Sequence, residues 1–336
     1  MKSFHANSGA GISGIVHREH DRPEPRRNEV LIRVRAASLN ARELMILGGY
    51  YSLPVKPDVV LLADGAGEVV AVGEGVTRAR IGDRVVCSVF PQWIDGRFGW
   101  DVAAQLGGSL DGMLTEYACV DEQAVLPIPP HLSFEEAATL PCAGVTAWNA
   151  LSGLRPPVPG ETVLVLGSGS VSLFALSFAK MFGARVIATT SSDEKAERLK
   201  RLGADDVVNY RSTPNWHVRV RELTDGRGVE HVIEVGGSDT LEKSLKSTAI
   251  EGQVAVVGWL ANQASSIDIK AISGSIAILR RIALGSRAHF IAMNRAITAH
   301  GMKPVIDSIF PFADAIAAFR YYEAGNAFGK VVVRIP

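Results

Sequence analysis

The sequence predicts an α/β protein with a doubly wound parallel sheet and a second, β-rich domain. Residues 1–126 contain short apolar segments separated by glycines, whereas strand and helix patterns alternate from residue 162 onward. A proline-rich linker at 156–160 precedes the alternating part. Many short strands with glycine turns indicate a barrel or sandwich, and alternating strands and helices indicate a parallel sheet. The length of 336 residues agrees with about two domains.

The β-rich part begins with an alternating strand at 30–36. Val30, Ile32, Val34 and Ala36 alternate with Leu31, Arg33 and Arg35, as expected of a strand with one buried face. Residues 90–115 have a loop-like composition. Four aromatic residues lie in this loop and either line an apolar pocket or cap the core: Phe90, Trp93, Phe98 and Trp100.

Helix signals begin near residue 130. Ser133 and Glu136 form a capping-box pattern, and a second helix is predicted from Pro141 to Gly153. A further capping box, Ser191-x-x-Glu194, predicts a helix that ends near residue 203. Residues 276–300 read as helical with an interruption at 284–286. The segments 305–310 and 330–334 return to strand character, and we expect them to rejoin the first domain.

The segment 162–189 has the pattern of a βαβ unit. A Val- and Leu-rich strand leads into a glycine turn, and an apolar helical stripe follows it. Gly167 and Gly169 stand where a tight turn and a close phosphate approach need them, and Ser172 replaces a third glycine. The turn therefore predicts a pyrophosphate site at a helix N-terminus. Its predicted binding residues are Gly167, Ser168, Gly169, Ser170 and Val171.

Ligands of such sheets bind at the carboxyl ends of the strands. The predicted ends are 167–170, 189–192, 235–237 and 258–260. NAD sites usually carry Asp or Glu at the end of the second strand, but this strand ends in hydroxyl residues that include Thr190 and Ser191. Lys195 follows within one turn and can neutralise a 2′-phosphate. These residues favour NADP, while Asp193 keeps NAD as an alternative.

The composition excludes several classes of function. The formal net charge is zero, so we expect neither a nucleic-acid partner nor an anionic-membrane partner. The three cysteines are widely spaced and form no disulfide framework or Cys-x-x-Cys motif, which fits a reducing cytoplasm. The longest apolar stretch is broken by glycines, serines and Lys180, which argues against a membrane span.

Several motifs, in order along the chain, resemble those of the medium-chain dehydrogenase/reductases, specifically their zinc-independent quinone-oxidoreductase-like branch. They are 37–43 (ASLNARE), 64–76 (DGAGEVVAVGEGV), 82–85 (GDRV), 140–148 (LPCAGVTAW), the Gly-Ser-Gly turn, 202–204 (LGA), 285–287 (GSR) and 328–331 (FGKV). The resemblance implies a GroES-like catalytic domain at 1–126, completed by 297–336, and a Rossmann domain at 127–296.

The resemblance also implies individual site residues. Lys195 and Tyr210 match the pair that grips the adenosine 2′-phosphate in quinone oxidoreductases, and Thr146 matches a residue near the nicotinamide. The family closes round the cofactor at positions that correspond here to Gly258, Leu284, Gly285, Ser286 and Lys330.

Zinc ligands of the related alcohol dehydrogenases are replaced in this chain. Asn40 stands in place of a Cys, and Ala63-Asp64 in place of a His-Glu pair, so only Cys142 resembles a ligand. Amide and methyl groups cannot substitute for thiolate and imidazole around Zn²⁺. No cysteine lies between Cys87 and Cys119, where a structural zinc lobe would need four. We therefore expect no metal.

Another group must then stabilise charge on a substrate oxygen as hydride arrives. Asn40, Arg42 and Tyr51 are the candidate catalytic residues by resemblance, with Tyr50 nearby. Structural roles are the alternatives. Asn40 can cap a helix at 41–47, Arg42 can pair with Asp64 or Glu43, and the tyrosines can line a loop.

The expected function is an NADPH-dependent reduction of a quinone, an enone or another activated carbonyl compound without zinc. Alternatives are a zinc-free alcohol or aldehyde oxidoreductase and a non-catalytic NADPH-binding protein. The aromatic residues suggest a small apolar or aromatic substrate. By family analogy we expect a homodimer formed near 282–286.

Overall fold

The structure is a computed structural model in which residues 1–258, 267 and 269–336 are described. Its strands are β1 (Lys2–Ala6), β2 (Val16–Glu19), β3 (Glu29–Ser38), β4 (Val59–Val60), β5 (Asp64–Val72), β6 (Arg84–Cys87), β7 (Tyr117–Asp121), β8 (Val125–Pro127), β9 (Thr162–Val165), β10 (Arg185–Thr190), β11 (Asp206–Asn209), β12 (Val229–Glu234), β13 (Thr248–Val256), β14 (Ile278–Arg281), β15 (Ile306–Pro311) and β16 (Lys330–Arg334). Its α-helices are α1 (Ala41–Leu47), α2 (Phe134–Ala137), α3 (Val145–Ser152), α4 (Ser170–Met181), α5 (Asp193–Arg201), α6 (Trp216–Leu223), α7 (Ser238–Ser247), α8 (Ile269–Ser275), α9 (Arg287–His300) and α10 (Ala315–Glu323).

The chain divides into two compact units. Unit 1 comprises Met1–Val145 and Ser286–Pro336, and unit 2 comprises Thr146–Gly285. The predicted domain bounds differ from this division, because residues 127–145 and 286–296 group with unit 1. Side-chain hydrogen bonds explain the difference. The Asn294 side chain donates to the Pro127 carbonyl at 3.3 Å, and Arg287 donates to Gln123 Oε1 at 2.9 Å.

Unit 1 contains a large, mostly antiparallel sheet. Its strand order is β15-β16-β3-β5-β6-β8, and β7 also pairs with β3. A smaller sheet has the order β2-β1-β4. In β3 the side chains of Val30, Ile32 and Val34 are buried while Arg33 is exposed, as the alternation predicts, but Leu31 on the opposite face is buried as well. The C-terminal strand β16 pairs antiparallel with β3, with Val333 opposite Ala37.

The aromatic loop at 90–115 packs as part of the core. Phe90 and Trp93 are buried, and the Phe98 ring meets both edge to face at 5.1 and 5.0 Å. Edge-to-face contacts at this separation are favourable. Trp100 is 78% exposed and lies outside the trio. Of the two alternatives for these aromatics, the structure supports the core role for Phe90, Trp93 and Phe98.

Unit 2 contains the predicted doubly wound sheet. The order is β11-β10-β9-β12-β13-β14, and every pair is parallel. The order runs in opposite directions on the two sides of β9, which creates the switch point where such sheets bind ligands. Leu164, Ile187 and Val232 are among the buried side chains of its core.

Two local predictions in unit 2 require correction. The N-cap of α5 is Ser192, whose Oγ accepts the Lys195 N–H at 3.2 Å, so the prediction of Ser191 as the cap was wrong by one residue.

Residues 276–300 are not one interrupted helix, because β14 occupies 278–281 and α9 begins only at Arg287. A short apolar run without strand alternation gave no sign of an edge strand. Trp259 and Leu260, in the predicted strand end 258–260, lie outside the described residues.

Candidate active site

The carboxyl ends of the unit 2 strands meet at one edge of the sheet. We name as the ligand edge the segments 167–171, 189–195, 235–237 and residues Tyr210 and Gly258. Each segment follows a parallel strand, which is the location where doubly wound sheets bind their ligands.

The glycine turn leaves helix α4 open at its N-terminus. Gly167 has φ +72°, a conformation that favours glycine, and its N–H donates to Thr189 Oγ1 at 3.2 Å. Gly169 is the N-cap residue and supplies no side-chain cap. Backbone N–H groups in the first turn of α4 therefore lack a side-chain acceptor, as in an anion site at a helix N-terminus. A Cβ added at Gly169 would meet nothing within 4 Å, so the space beside the turn is open.

Ser172 takes the position of the third glycine. Its side chain is buried, and Oγ donates to the Leu166 carbonyl at 2.6 Å. A small side chain that bonds back to the strand end permits the helix to pack closely on the sheet, as the sequence predicts.

The end of β10 presents polar groups without protein partners. The Thr190 hydroxyl is buried and has no hydrogen-bond partner among the described residues. No hydrogen bond or ion pair is recorded for the Lys195 ammonium group within the described chain. Tyr210 is 41% exposed, and its N–H donates to the Thr190 carbonyl at 2.9 Å. The predicted residues Thr190, Ser191, Lys195 and Tyr210 thus follow two paired strands, β10 and β11.

Asp193 is the carboxylate that keeps NAD as the alternative cofactor in the sequence prediction. Its Oδ1 accepts a hydrogen bond from Asn209 Nδ2 at 2.8 Å. This hydrogen bond holds the Asp193 carboxylate at the end of β11. The groups left without partners are therefore hydroxyl and ammonium donors, which suit a phosphate.

Glu234, the last residue of β12, directly precedes a segment of the ligand edge and was missed by the sequence prediction. Its buried carboxylate accepts hydrogen bonds from the N–H groups of Gly236 and Gly237 at 2.7 and 3.0 Å and from the Thr240 and Ser244 hydroxyls. Its backbone carbonyl also accepts the Gly258 N–H at 3.1 Å. One residue therefore fixes two strand-end turns. A carboxylate two residues before the Gly236-Gly237 pair was the available signal.

Gly258 approaches the neighbouring turn closely. A Cβ added there would lie 1.9 Å from the Val235 carbonyl oxygen, so a larger residue would displace the backbone. Glycine is therefore required by packing, whatever its contact with a cofactor.

The predicted cofactor segment 284–286 crosses the boundary between the units. Leu284 has φ +57°, and its carbonyl accepts a hydrogen bond from Asn149 Nδ2 at 2.5 Å. Gly285 is buried at the end of unit 2. Ser286 is fully buried in unit 1 as the N-cap of α9. Thr146 is also buried. Cofactor contact by these residues stays a prediction.

Unit 1 holds a separate group of polar side chains, of which all but the partly exposed Tyr51 are buried. We name as the polar cluster Ser38, Asn40, Arg42, Glu43, Tyr51, Asp64, Gln105 and Lys330. Asn40 is the N-cap residue of α1, and the Glu43 carboxylate accepts its backbone N–H at 3.0 Å. The capping role proposed as an alternative for Asn40 is confirmed.

Lys330 lies within this cluster and is 1% exposed. Its Nζ donates to the Leu39 carbonyl and Asn40 Oδ1, both at 2.7 Å, and to Asp64 Oδ2 at 3.1 Å. An ammonium group has three donors, and these contacts use all three. All three donors of the Lys330 ammonium therefore bond to groups of unit 1. None of them is free for the predicted contact with the cofactor.

Asn40 is held at both ends of its amide. Oδ1 accepts from Lys330, and Nδ2 donates to Asp64 Oδ2 at 2.9 Å. The Ser38 hydroxyl also donates to Asp64 Oδ2 at 2.9 Å, while Asp64 Oδ1 is buried without a partner in the described chain. The amide therefore organises the ion pair, and only its second N–H remains for a substrate.

Arg42 is almost saturated with acceptors. Its Nη1 donates to Glu43 Oε1 at 2.9 Å, Nη2 donates to Gln105 Oε1 at 2.9 Å, and Nε donates to the Tyr51 hydroxyl at 3.3 Å. Burial alone would lower the pKa of Arg42, but Tyr51 and Glu43 beside it hold that pKa above its ordinary value. The pairing of Arg42 with Glu43, one of the predicted alternatives, is confirmed.

Tyr51 is the partly exposed candidate among the three. Asn40 and Arg42 are buried, whereas Tyr51 has an intermediate exposure. Its hydroxyl donates to Gln105 Oε1 at 2.7 Å, and its ring lies 5.0 Å from the Arg42 guanidinium carbon. Gln105 was missed by the sequence prediction, because nothing in its own segment signals a partner 63 residues away.

The residues around Asp64 do not match a zinc site. Burial, with the carboxylates of Asp64 and Glu43, raises the pKa of the Cys142 thiol well above its usual value, so the thiol stays protonated. The Lys330 ammonium contacts the same Asp64 carboxylate that a metal would need. Within residues 1–258, 267 and 269–336, no group of three or more His, Cys, Asp or Glu side chains could hold a metal ion.

Similarity to known proteins extends over the chain. Residues 26–130 match the alcohol dehydrogenase GroES-like domain, and residues 170–299 match the zinc-binding dehydrogenase domain. A zinc-type alcohol dehydrogenase-like protein of Schizosaccharomyces pombe is 42% identical over 97% of this chain and 96% of its own. The chain belongs to the medium-chain dehydrogenase/reductase superfamily. A quinone oxidoreductase of Pseudomonas aeruginosa is 33% identical over 83% of this chain and 80% of its own.

Solved structures of this superfamily share the fold. An NAD-dependent alcohol dehydrogenase has a TM-score of 0.91 at 33% identity and covers 100% of both chains. A mycobacterial protein complexed with NADPH has a TM-score of 0.83 at 28% identity and covers 99% of both chains. The chain is therefore an oxidoreductase of this superfamily with the predicted Rossmann and GroES-like parts. No helix in the described residues has the length and apolar character needed to cross a bilayer.

Proposed function

We propose that this protein is an NADPH-dependent oxidoreductase that reduces a quinone, an enone or another activated carbonyl compound without zinc. The end of β10 carries the proposal. Among the described residues, the Thr190 hydroxyl and the Lys195 ammonium have no protein partner there, while Asp193 is bonded to Asn209. A 2′-phosphate can accept from such donors, whereas the 2′-hydroxyl of NAD is usually bound by a free carboxylate.

The glycine turn would hold the pyrophosphate. The open N-terminus of α4 and the backbone of residues 167–171 supply N–H donors, and Glu234 keeps the next strand-end turns in place. Lys195 and Tyr210 would hold the adenosine end. When bound, the reduced nicotinamide supplies a hydride. The binding of NADPH by a 28% identical mycobacterial protein supports this choice of cofactor.

The absence of zinc belongs to the same proposal. The donor set would have to include a protonated thiol and a carboxylate already paired with Lys330. A divalent cation prefers thiolate, imidazole and free carboxylate ligands. Elemental analysis of the purified protein should give far less than one zinc per chain, and one tightly bound zinc per chain would contradict this part.

Tyr51 is partly exposed, and its hydroxyl is our candidate for contact with the substrate oxygen. Arg42 Nε donates a hydrogen bond to this hydroxyl, and the Arg42 guanidinium keeps a positive charge beside it. A phenol in this setting can donate a hydrogen bond to a carbonyl oxygen as negative charge develops there. The apolar or aromatic nature of the substrate remains part of the proposal.

A panel of quinones, enones and aldehydes tests the function directly. NADPH oxidation should depend on the quinone or enone and should be much faster than NADH oxidation. Preferred turnover of alcohols or aldehydes with NADH would favour the second candidate, a zinc-free alcohol dehydrogenase. The 33% identity to an NAD-dependent alcohol dehydrogenase keeps that candidate open. Tight NADPH binding without any turnover would favour a non-catalytic binding protein.

We also propose a homodimer. In the described chain β14 pairs only with β13, and its Ile278 is 47% exposed. An edge strand that exposes Ile278 and lies next to the predicted segment 282–286 is suited to a second copy. Sedimentation velocity should give twice the chain mass, and a monomer at micromolar concentration would contradict the proposal.

The three free cysteines support a reducing compartment, and we propose the cytoplasm. Recovery of the native protein mainly from another cell fraction would contradict this.

A further inference from the structure

Gln105 contacts two of the predicted catalytic residues from inside unit 1. It is fully buried, and its Oε1 accepts hydrogen bonds from the Tyr51 hydroxyl at 2.7 Å and from Arg42 Nη2 at 2.9 Å. Because a guanidinium can only donate, the amide oxygen must face Arg42, which fixes the orientation of the amide. Nε2 then faces the Pro54 carbonyl at 3.4 Å.

The backbone of Gln105 is also held in place. Its N–H donates to Ser109 Oγ at 3.0 Å, and its carbonyl accepts the Leu110 N–H at 2.9 Å. The side chain therefore extends from a fixed point of the loop toward Tyr51.

These contacts determine where the Tyr51 proton points. The Tyr51 oxygen accepts from Arg42 Nε, so its own O–H is directed at Gln105 Oε1. Arg42 and Gln105 are buried, whereas Tyr51 is partly exposed. Tyr51 is thus the group of the three that a substrate can reach.

We propose that Gln105 is a positioning residue that holds the Tyr51 hydroxyl ready to donate its proton to the oxygen of a carbonyl substrate. The inference rests on the proposed function, which it deepens. When the substrate oxygen arrives, the phenolic hydrogen turns from Gln105 to that oxygen. Gln105 Oε1 keeps its bond from Arg42, so no buried acceptor is left without a donor.

The chemical step balances with this arrangement. A bound reduced nicotinamide would supply hydride to the electrophilic carbon of the substrate, and the electron pair of the broken π bond would move to oxygen. That oxygen takes the Tyr51 proton. The phenolate that remains accepts from Arg42 Nε and regains a proton from water.

Two substitutions separate a positioning role from a structural one. Gln105→Met keeps the side-chain length but removes the acceptor, and Gln105→Glu keeps an acceptor oxygen facing Arg42. With saturating NADPH and the best enone of the panel, Gln105→Met should lower kcat about tenfold, with KM and the NADPH Kd changed less than about twofold. Gln105→Glu should restore kcat to within about threefold of the wild type. Gln92→Met, in which an exposed glutamine is replaced, is the matched control.

Coupling to Tyr51 is the deciding readout. In a Tyr51→Phe background, Gln105→Met should lower kcat little further, because the group through which it acts is gone. An equal fall in both backgrounds would overturn the proposal. So would equal losses in Gln105→Met and Gln105→Glu that accompany a lower Tm.

A second measurement does not depend on turnover. In protein labelled with ¹³C at tyrosine Cζ, the Tyr51 signal is assigned by its loss in Tyr51→Phe. It should shift in Gln105→Met and return toward the wild-type position in Gln105→Glu. An unmoved signal would overturn the inference even if the enzyme reduces enones. A wild type without turnover on the whole panel would instead contradict the proposed function.

Discussion

Lys330 in unit 1 and Lys195 in unit 2 show how differently the two units use buried or half-buried charge. Lys330 is 1% exposed and gives its three donors to Leu39, Asn40 and Asp64. No protein partner is recorded for the Lys195 ammonium in the described chain. A cation with every donor used stabilises the fold, whereas a cation without a partner is available to a ligand.

The same difference extends to the neighbouring groups. In the polar cluster, Arg42 and Asn40 have protein partners, and Asp64 Oδ1 is the exception. At the ligand edge, the Thr190 hydroxyl and the first N–H groups of α4 lack side-chain partners. A buried hydroxyl without a partner is costly, so the Thr190 hydroxyl agrees with the proposal that a ligand binds at this edge.

The largest expected effect comes from breaking the ion pair of unit 1. Lys330→Met leaves Asp64 as a buried carboxylate without a cation, and we expect the free energy of unfolding to fall by about 3–5 kcal/mol. Urea unfolding monitored by circular dichroism measures this free energy of unfolding. Binding of NADPH to the folded fraction should change little, since the affected contacts lie in unit 1.

A double variant provides the control for this experiment. In Lys330→Met combined with Asp64→Asn, most of the loss should be recovered, because neither charge of the Lys330–Asp64 pair is left buried without the other. Lys56→Met removes the exposed pair with Asp111 and should cost less than about 1 kcal/mol. If Lys330→Met were as mild as Lys56→Met, the buried pair would not stabilise unit 1 as argued.

Sequence patterns predicted the elements whose contacts are local. The stripe of α4, the Ser133–Glu136 capping box and the strand–turn–helix around Gly167 each depend on residues a few positions apart. The edge strand β14 was missed because it is short and half exposed, so neither strand alternation nor a continuous buried run marks it.

Long-range pairs were the part that sequence could not predict. Lys330 and Asp64 lie 266 residues apart, and Gln105 meets Arg42 across 63. Family resemblance placed Lys330 with the cofactor, and only the sheet pairing of β16 with β3 reveals its partners. By contrast, the Arg42–Glu43 and Asn40 capping contacts were foreseeable, since sequence neighbours make them.

The second prediction concerns the unpartnered lysine. Lys195→Ala should weaken NADPH binding about ten- to a hundredfold through loss of a charge-assisted contact to the 2′-phosphate. NADH binding should change less than about twofold, because NADH lacks that phosphate. Isothermal titration of both cofactors measures the difference.

Lys200→Ala on the same helix is the matched control, because its ammonium pairs with Glu197 on the surface. It should leave both affinities unchanged. If Lys195→Ala weakens the binding of NADPH and NADH equally, Lys195 does not contact the 2′-phosphate. The contrast between Lys195 and Lys330 would then have no functional meaning.

The smallest expected effect compares two adjacent threonines of β10. The Thr189 hydroxyl accepts the Gly167 N–H, whereas the Thr190 hydroxyl is buried without a partner in the described chain. Valine has nearly the same shape as threonine and lacks the hydroxyl. Without cofactor, Thr189→Val should lower the free energy of unfolding by about 1 kcal/mol, and Thr190→Val should leave it unchanged or raise it by up to about 1 kcal/mol. With NADPH present, Thr190→Val should bind the cofactor more weakly than wild type.

The contradicting outcome concerns the cofactor-free proteins. If Thr190→Val loses as much free energy of unfolding as Thr189→Val, the Thr190 hydroxyl already has a partner. The ligand edge would then be less open than we infer.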